Sequence, residues 1–131
     1  MRYLRIESTK FTPGIVLDPG HLVLEFYGFS LPENALEFYS PVINWLKDFK
    51  SAFERKILCT AEVKVIFKLV YYNSSSLRQL LDIFTLFSEI QQLGVEINIL
   101  WQYDTEDPAM AENGKEIADI ANVPINIVAY N

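Results

Sequence analysis

The residues best suited to chemistry form one short run, Asn73-Ser74-Ser75-Ser76, which lies between a long strand pattern and a leucine-rich helical pattern. Three hydroxyls are therefore placed where a helix begins. The first backbone N–H groups of a helix have no partner within the helix, and the positive end of the helix dipole lies there. A phosphate on a serine at this place carries about −1.5 to −2 charges and is held by these groups. The segment is suited to phosphorylation that changes the surface and leaves the fold intact.

The same run also has a purely structural interpretation, because Ser and Asn are the usual N-cap residues of helices. The two interpretations are compatible, since one serine can cap the helix while a neighbour accepts a phosphate. The helix that follows is apolar around most of its circumference. Such a helix is either buried on two sides or partly exposed as a docking surface. On the second alternative, the predicted partner-binding residues are Leu77, Leu80, Leu81 and Phe84.

The positions that surround this run predict an α/β domain. Residues 2–7 are typical of a short edge strand, and residues 15–17 and 21–29 form a hairpin around the turn Asp18-Pro19-Gly20. A helix of about 20 residues starts at Pro32-Glu33-Asn34 and contains Pro41, which either kinks it or marks where its regular part begins. The remaining patterns are a strand at 61–72, a helix ending before Gly94, a strand at 95–103, a helix at about 108–121 and a strand at 125–128. Strands that alternate with helices predict a mainly parallel mixed sheet, with the helices mostly on one face.

Composition limits the classes of function. The chain has 131 residues, half of them apolar, and we expect one domain over 1–131. Its net charge is −6, with no basic stripe, which argues against nucleic acid and an anionic membrane surface as partners. Cys59 is the only cysteine, and the first residues lack the apolar core of a signal peptide, so a cytoplasmic protein is expected.

A second cluster of chemical groups follows the strand at 95–103. Asp104, Glu106 and Asp107 are three carboxylates at the end of a strand, which is a place where Mg²⁺ can bind. A solvated loop with acids beside a helix N-terminus explains the same residues. A metal-dependent enzyme is therefore one alternative, and a passive module that dimerises through its apolar second helix is another. The sequence has no phosphate-binding or dinucleotide motif and no nucleophile elbow, so we expect no catalytic residues and no cofactor.

The sequence resembles the SiaC-type regulatory phosphoproteins of bacteria over nearly its whole length. The strand, polar Ser turn and Leu-rich helix also look like the anti-anti-sigma-factor (STAS-like) domain, in which an Asp precedes the phosphorylated serine where this chain has Asn73. The segments that carry the closer resemblance are Thr9 with Thr12-Pro13, Leu17-Asp18, Pro32-Glu33-Asn34, Phe38-Tyr39, Trp45-Leu46, Tyr71-Tyr72-Asn73-Ser74-Ser75-Ser76, Leu81-Asp82-Ile83 and Trp101-Gln102-Tyr103-Asp104.

The resemblance implies a non-enzymatic signalling adaptor. In that family a Ser/Thr protein kinase phosphorylates the hydroxyl residue after the Asn, and a PP2C-like phosphatase removes the phosphate. The unphosphorylated form binds and activates a diguanylate cyclase, which raises cyclic di-GMP and favours aggregation or biofilm. Carried over, the acceptor is Ser74, with Asn73, Ser75 and Ser76 as its neighbours, and Pro32, Glu33 and Asn34 join the implied partner surface. This chain has Ser where the family often has Thr at the acceptor, and Leu31 where it often has Tyr.

Overall fold

The computed structural model describes residues 1–59 and 62–131, which contain six strands and three helices. In chain order these are β1 (Leu4–Ile6), β2 (Gly14–Asp18), β3 (Val23–Ser30), α1 (Ala35–Glu54), β4 (Glu62–Tyr72), α2 (Ser74–Gln92), β5 (Glu96–Asp104), α3 (Pro108–Ala121) and β6 (Asn126–Tyr130). The predicted order of elements is confirmed. The first residue of the predicted strand at 61–72 lies outside the described residues.

The six strands form one sheet in the order β1-β2-β3-β4-β5-β6. The first three strands are antiparallel neighbours, and the last four are parallel. This is the predicted mainly parallel mixed sheet with an N-terminal hairpin. Each parallel neighbour follows directly in sequence, so every crossover passes through one helix.

One face of the sheet forms the core and the other is partly exposed. Along β4 the burial alternates, with Val63, Val65, Phe67 and Leu69 buried beneath the helices. Phe67 lies at the centre of an aromatic cluster: its ring centroid is 4.5 Å from Phe26, 5.0 Å from Phe84 and 5.4 Å from Trp101. This packing confirms that the helices lie on one face.

Strict alternation along β4 would place Tyr71 on the core face with Val63, Val65, Phe67 and Leu69, but the alternation fails at the end of the strand. Tyr71 is 53% exposed instead. The pairing with β3 shifts register between Gly28 and Phe29, so Leu69 pairs with Gly28 and Tyr71 with Phe29. Val70 is the extra residue of this bulge, and an extra residue reverses the faces of the side chains after it. The bulge therefore exposes Tyr71 and aims the end of β4 at the turn that follows.

The long first helix also differs in detail from its prediction. It begins at Ala35, after an N-cap at Asn34 whose side chain accepts a 3.0 Å hydrogen bond from the Glu37 amide. Pro32 and Glu33 lie before the helix, so they precede its first turn and are not part of it. Pro41 is exposed within a continuous helix that runs on to Glu54.

Candidate functional site

The segments 32–34 and 73–76 lie side by side at the end of the sheet where the parallel strands β3 and β4 finish. Ser30, the last residue of β3, pairs with Tyr72, the last residue of β4. The amide of Asn73 then donates a 3.1 Å hydrogen bond to the Ser30 carbonyl. Because the carboxyl ends of parallel strands lie at the same edge, the segments 31–34 and 73–76 begin side by side.

Asn73, and not a serine, is the N-cap of α2. Its side-chain oxygen accepts hydrogen bonds from the Ser76 amide at 2.9 Å and from the Ser75 hydroxyl at 3.1 Å. The helix therefore starts at Ser74, and the three serines are its first three residues. With the cap supplied by an amide, none of the three serine hydroxyls is needed for capping.

The three serines occupy three different environments. Ser76 is fully buried, while Ser74 and Ser75 are exposed. The Ser75 hydroxyl is engaged with Asn73. The Ser74 hydroxyl has no hydrogen-bond partner among the residues that the structure describes, and it lies at the first position of α2. Ser74 is thus the serine of this run that is both accessible and free to react.

A buried chain of hydroxyls anchors this end of α2. The Ser30 hydroxyl donates to the Ser76 hydroxyl at 2.8 Å, and the Ser76 hydroxyl donates to the Ser30 carbonyl at 3.0 Å. Since the single hydroxyl proton of Ser30 is used in this way, Tyr39 donates to Ser30 across 2.6 Å. The chain joins α1, the end of β3 and the third residue of α2.

Sequence patterns did not identify Ser30 or Tyr39 as members of the site. Tyr39 falls in the apolar stripe of α1 and is indistinguishable there from a core residue. The one available signal is Ser30, a polar residue that directly follows a strand of alternating apolar residues. Its partner could not be named, because the two residues meet only after β3 and β4 pair.

Burial and hydrogen bonding give Tyr39 an unusual pH dependence. Burial raises the pKa of its phenol to about 12, opposed in part by the hydrogen bond with Ser30. The unfolded chain loses this proton near pH 10 and the folded chain retains it, so the folded state is destabilised as pH rises from about 10 to 12. We expect Tyr39→Phe to lower stability at pH 7 by about 1 kcal/mol and to reduce the loss of stability above pH 10.

Urea unfolding at pH 7, 10 and 11 measures both effects. Tyr103→Phe is the matched control, because Tyr103 is only partly buried and lies outside the hydroxyl chain. Equal alkaline losses of stability in the wild type and Tyr39→Phe would contradict this assignment.

The expected partner surface on α2 requires correction. Leu80 and Phe84 are fully buried, and Leu77 and Leu81 are partly buried against the core. The physical reason is that α2 lies between α1 and α3 and above the sheet, so its apolar circumference is covered on two sides. Leu80 and Phe84 therefore cannot form the predicted docking face. For the same reason they cannot form the dimer contact that the passive-module hypothesis places on α2.

A groove beside Ser74 is a more exposed candidate for partner binding than the buried face of α2. Glu33 and Asn34 are exposed and Pro32 is buried; with Thr12, Glu37 and Phe38 they line a groove of about 400 Å³. The loop before β2 forms part of its wall, because the Leu31 amide donates to the Phe11 carbonyl at 2.7 Å. The exposed Phe11 side chain lies in the same loop.

Thr9 and Thr12 shape that loop. Their hydroxyls lie 2.5 Å apart, and Thr9 Oγ1 also accepts hydrogen bonds from the amides of Phe11 and Thr12. These contacts give both threonines a structural role that the sequence alone did not explain. They hold Phe11 at the carboxyl ends of the parallel strands, on the same side of the molecule as Ser74.

The acidic cluster after β5 has a structural role as well. Asp104 Oδ1 accepts a 2.9 Å hydrogen bond from the Glu106 amide, and the Asp107 amide donates to the Asp104 carbonyl at 2.8 Å. Within residues 1–59 and 62–131, no three His, Cys, Asp or Glu side chains are close enough to hold a metal ion. The cluster does not assemble the magnesium site that the enzymatic alternative requires.

Comparison with known proteins adds to this geometry. The family model described as SiaC family regulatory phosphoprotein matches residues 6–130. The chain belongs to the SiaC family. An uncharacterized protein of Pseudomonas aeruginosa strain UCBPP-PA14 is 30% identical over 131 residues, which span all of this chain and 99% of the relative.

Solved structures agree with this assignment. Apo-SiaC from Pseudomonas aeruginosa has a TM-score of 0.86 and 30% identity, and the match covers 98% of this chain and 100% of that one. A second match, also with a TM-score of 0.86 and 30% identity, is to the crystal structure of the diguanylate cyclase SiaD in complex with its activator SiaC, over 97% of this chain and 99% of that one. The expected family and fold are both confirmed. Among the described residues of this SiaC-family chain, no helix is long and apolar enough to cross a membrane.

Proposed function

We propose that this SiaC-family protein is a signalling adaptor that binds and activates a diguanylate cyclase, and that phosphorylation of Ser74 ends the interaction. The observation that carries the proposal is the exposed Ser74 hydroxyl at the first position of α2, unpaired among the described residues and beside a fully buried hydroxyl chain. A SiaC from Pseudomonas aeruginosa, similar to this chain along nearly its full length, activates such a cyclase.

The modification is a phosphoryl transfer between proteins. A Ser/Thr kinase moves the γ-phosphoryl group of ATP to Ser74 Oγ, which releases ADP and the hydroxyl proton. A PP2C-like phosphatase transfers the group to water and restores the hydroxyl. Both enzymes need the side chain at the surface, as Ser74 is and Ser76 is not. Because the kinase uses ATP, we assign the protein to the bacterial cytoplasm.

The fold accommodates a phosphate at this position. The amides of Ser74 and Ser75 are among the first N–H groups of α2, which have no partner within the helix. The first turn of α2 contains no acidic residue that would repel a dianion. Arg78 is exposed one helical turn after Ser74 and has no ion pair with any residue in the described part of the chain.

The phosphate changes the surface far more than the fold. An exposed neutral hydroxyl becomes a dianion beside the groove that Glu33 and Glu37 already make acidic. A cyclase surface that closes over the neutral serine would have to bury that charge without a partner, which costs several kcal/mol. Unmodified protein therefore binds the cyclase much more tightly than phosphorylated protein does.

Cyclase assays test the adaptor role directly. The unmodified protein, added to a purified diguanylate cyclase from the same organism, should increase the rate of cyclic di-GMP synthesis from GTP and should bind in calorimetry. A rate unchanged by saturating protein, together with no binding heat, would overturn the proposed partner. Ser76→Ala is tested in the same assay. Ser76 is buried and cannot touch the cyclase, so any loss of activation in this variant measures the effect of disturbed folding near the site.

Arg78 should determine how strongly the phosphate is held. Residues four apart on a helix are neighbours, so the guanidinium can reach a phosphate on Ser74. A nearby cation favours the dianion, and we expect the second pKa of the phosphate to lie below about 6. In Arg78→Gln it should rise by about half a unit or more, whereas Arg78→Lys should largely preserve it.

Phosphorus-31 NMR titration of protein with phosphoserine installed at position 74 measures this pKa. Arg55→Gln is the matched control, because Arg55 is also exposed but is the C-cap of α1 and does not lie on α2. Identical titration curves for the wild type and Arg78→Gln would show that Arg78 does not contact the phosphate.

A further inference from the structure

The two edges of the sheet are protected very differently. β1 is three residues long and includes Arg5, which pairs with Glu7 just after the strand. Short length and charge are the usual protections of an edge strand against pairing with another chain. β6 is five residues long and uncharged, and no described strand pairs with its outer side. The whole segment 120–131 lacks charged side chains.

This neutral edge is unusual on a chain of net charge −6. β6 itself contributes no side-chain charge that would repel its copy in a second molecule; the nearest charges lie beside its last residue, where Tyr130 is next to Lys68 and the acids Asp104, Glu106 and Asp107. Val128 on this strand is 45% exposed, and Asn126 and Ala129 are also exposed. The strand at this edge therefore has open backbone groups, exposed apolar surface and no charged side chain of its own.

The β6 sequence is also self-complementary in an antiparallel arrangement. If two β6 strands pair about Val128, each Val128 lies opposite the other, and Ile127 lies opposite Ala129. Asn126 then lies opposite Tyr130. Both of these side chains contact inner strands of their own copy: the Asn126 amide donates to Asn98 on β5 at 3.1 Å, and Lys68 on β4 lies 4.5 Å from the centroid of the Tyr130 ring. They therefore leave the outer backbone edge of β6 open for the partner strand.

We propose that the outer edge of β6 binds a second copy of this chain, strand to strand and antiparallel, with Val128 at the two-fold axis. The two-fold axis is perpendicular to the sheet. The two six-stranded sheets therefore join into a single continuous sheet of twelve strands. The helices of both copies then lie on the same face. β5 separates β4 from β6, and the dimer uses only the outer side of β6, so Ser74 at the end of β4 remains accessible.

Disulfide trapping tests this register independently of Ser74 and of any cyclase. In a Cys59→Ser background, Val128→Cys places two thiols opposite each other, with Cα atoms about 4.5–5.5 Å apart and within the range of a disulfide. Asn126→Cys is the matched control, because two copies of residue 126 lie about 13 Å apart in this register. Under mild oxidation, most Val128→Cys protein should become a covalent dimer, and Asn126→Cys protein should form no disulfide between the two copies.

Two results would overturn the proposal: a monomeric Val128→Cys protein, or equal crosslinking of both variants. Sedimentation without any crosslink gives a second measurement. The mass should rise with concentration from 15.1 kDa towards twice that value. Val128→Lys should hold the protein at the monomer mass, whereas Leu36→Lys, at a site 68% exposed on α1, should leave association unchanged. A wild type that stays monomeric at several hundred micromolar would also refute the dimer.

Discussion

Phosphorylation of Ser74 is expected to weaken binding to the cyclase about a hundredfold, which corresponds to roughly 2.7 kcal/mol. The reason is that the complex forms around a neutral hydroxyl, and the phosphate introduces a dianion that loses its hydration when the surfaces close. Calorimetry with protein carrying phosphoserine only at position 74 measures the change. Unmodified protein and Ser74→Ala should bind with nearly the same affinity.

Ser75 provides the matched control for this prediction. It is also exposed, it is adjacent in sequence, and its side chain lies about 100° further around the helix. We expect Ser74→Glu to reduce binding strongly and Ser75→Glu to reduce it less, although each adds one negative charge to the first turn. Equal effects of the two substitutions would indicate that net charge at the end of α2 matters and the position of Ser74 does not.

The largest expected effect on stability comes from Gly114 in α3. A Cβ at this position would lie 2.5 Å from the ring of Trp101, closer than two such atoms can approach. Trp101 cannot move away easily, since it is 1% exposed and its indole N–H donates a 2.9 Å hydrogen bond to the Met110 carbonyl. The absence of a side chain at Gly114 is what allows α3 to pack closely on β5.

Gly114→Ala should therefore lower the free energy of unfolding by about 2 kcal/mol. This sign is opposite to that expected from helix propensity, which favours Ala over Gly by about 1 kcal/mol. Thermal unfolding should show a midpoint lowered by roughly 5–10 °C. Gly20→Ala is the control, because its added Cβ meets only Asp18 Oδ1 at 3.4 Å. A Gly114→Ala protein as stable as the wild type would show that α3 shifts freely away from Trp101.

Much of the fold follows from local patterns. The alternation along Val63, Val65 and Phe67 and the three- and four-residue steps in the helices are short-range features, and they predict the order of elements. The location of the site follows as well, because a polar run between a buried strand and a helix must lie at an edge of the sheet. The distinction between the three serines does not follow, since it depends on Asn73 capping the helix and on Ser30, itself bonded to Tyr39, reaching Ser76.

The errors share a physical cause. Tyr71 changes face because β3 and β4 pair with one extra residue, and a bulge depends on two strands that are far apart in sequence. Leu80 and Phe84 are buried because α1 and α3 lie on both sides of α2, which the pattern of α2 alone cannot show. Local sequence predicts what an element is, and the neighbours of that element determine which residues reach the surface.

Mass spectrometry of the protein isolated from its native cells most directly tests whether Ser74 is the switch. Intact masses should reveal a fraction heavier by one phosphate, fragmentation should place that phosphate on Ser74, and treatment with a PP2C-type phosphatase should remove it. The fraction should increase in cells that lack the phosphatase. Protein that stays unphosphorylated in such cells, or that carries its phosphate on a residue other than Ser74, would contradict the account.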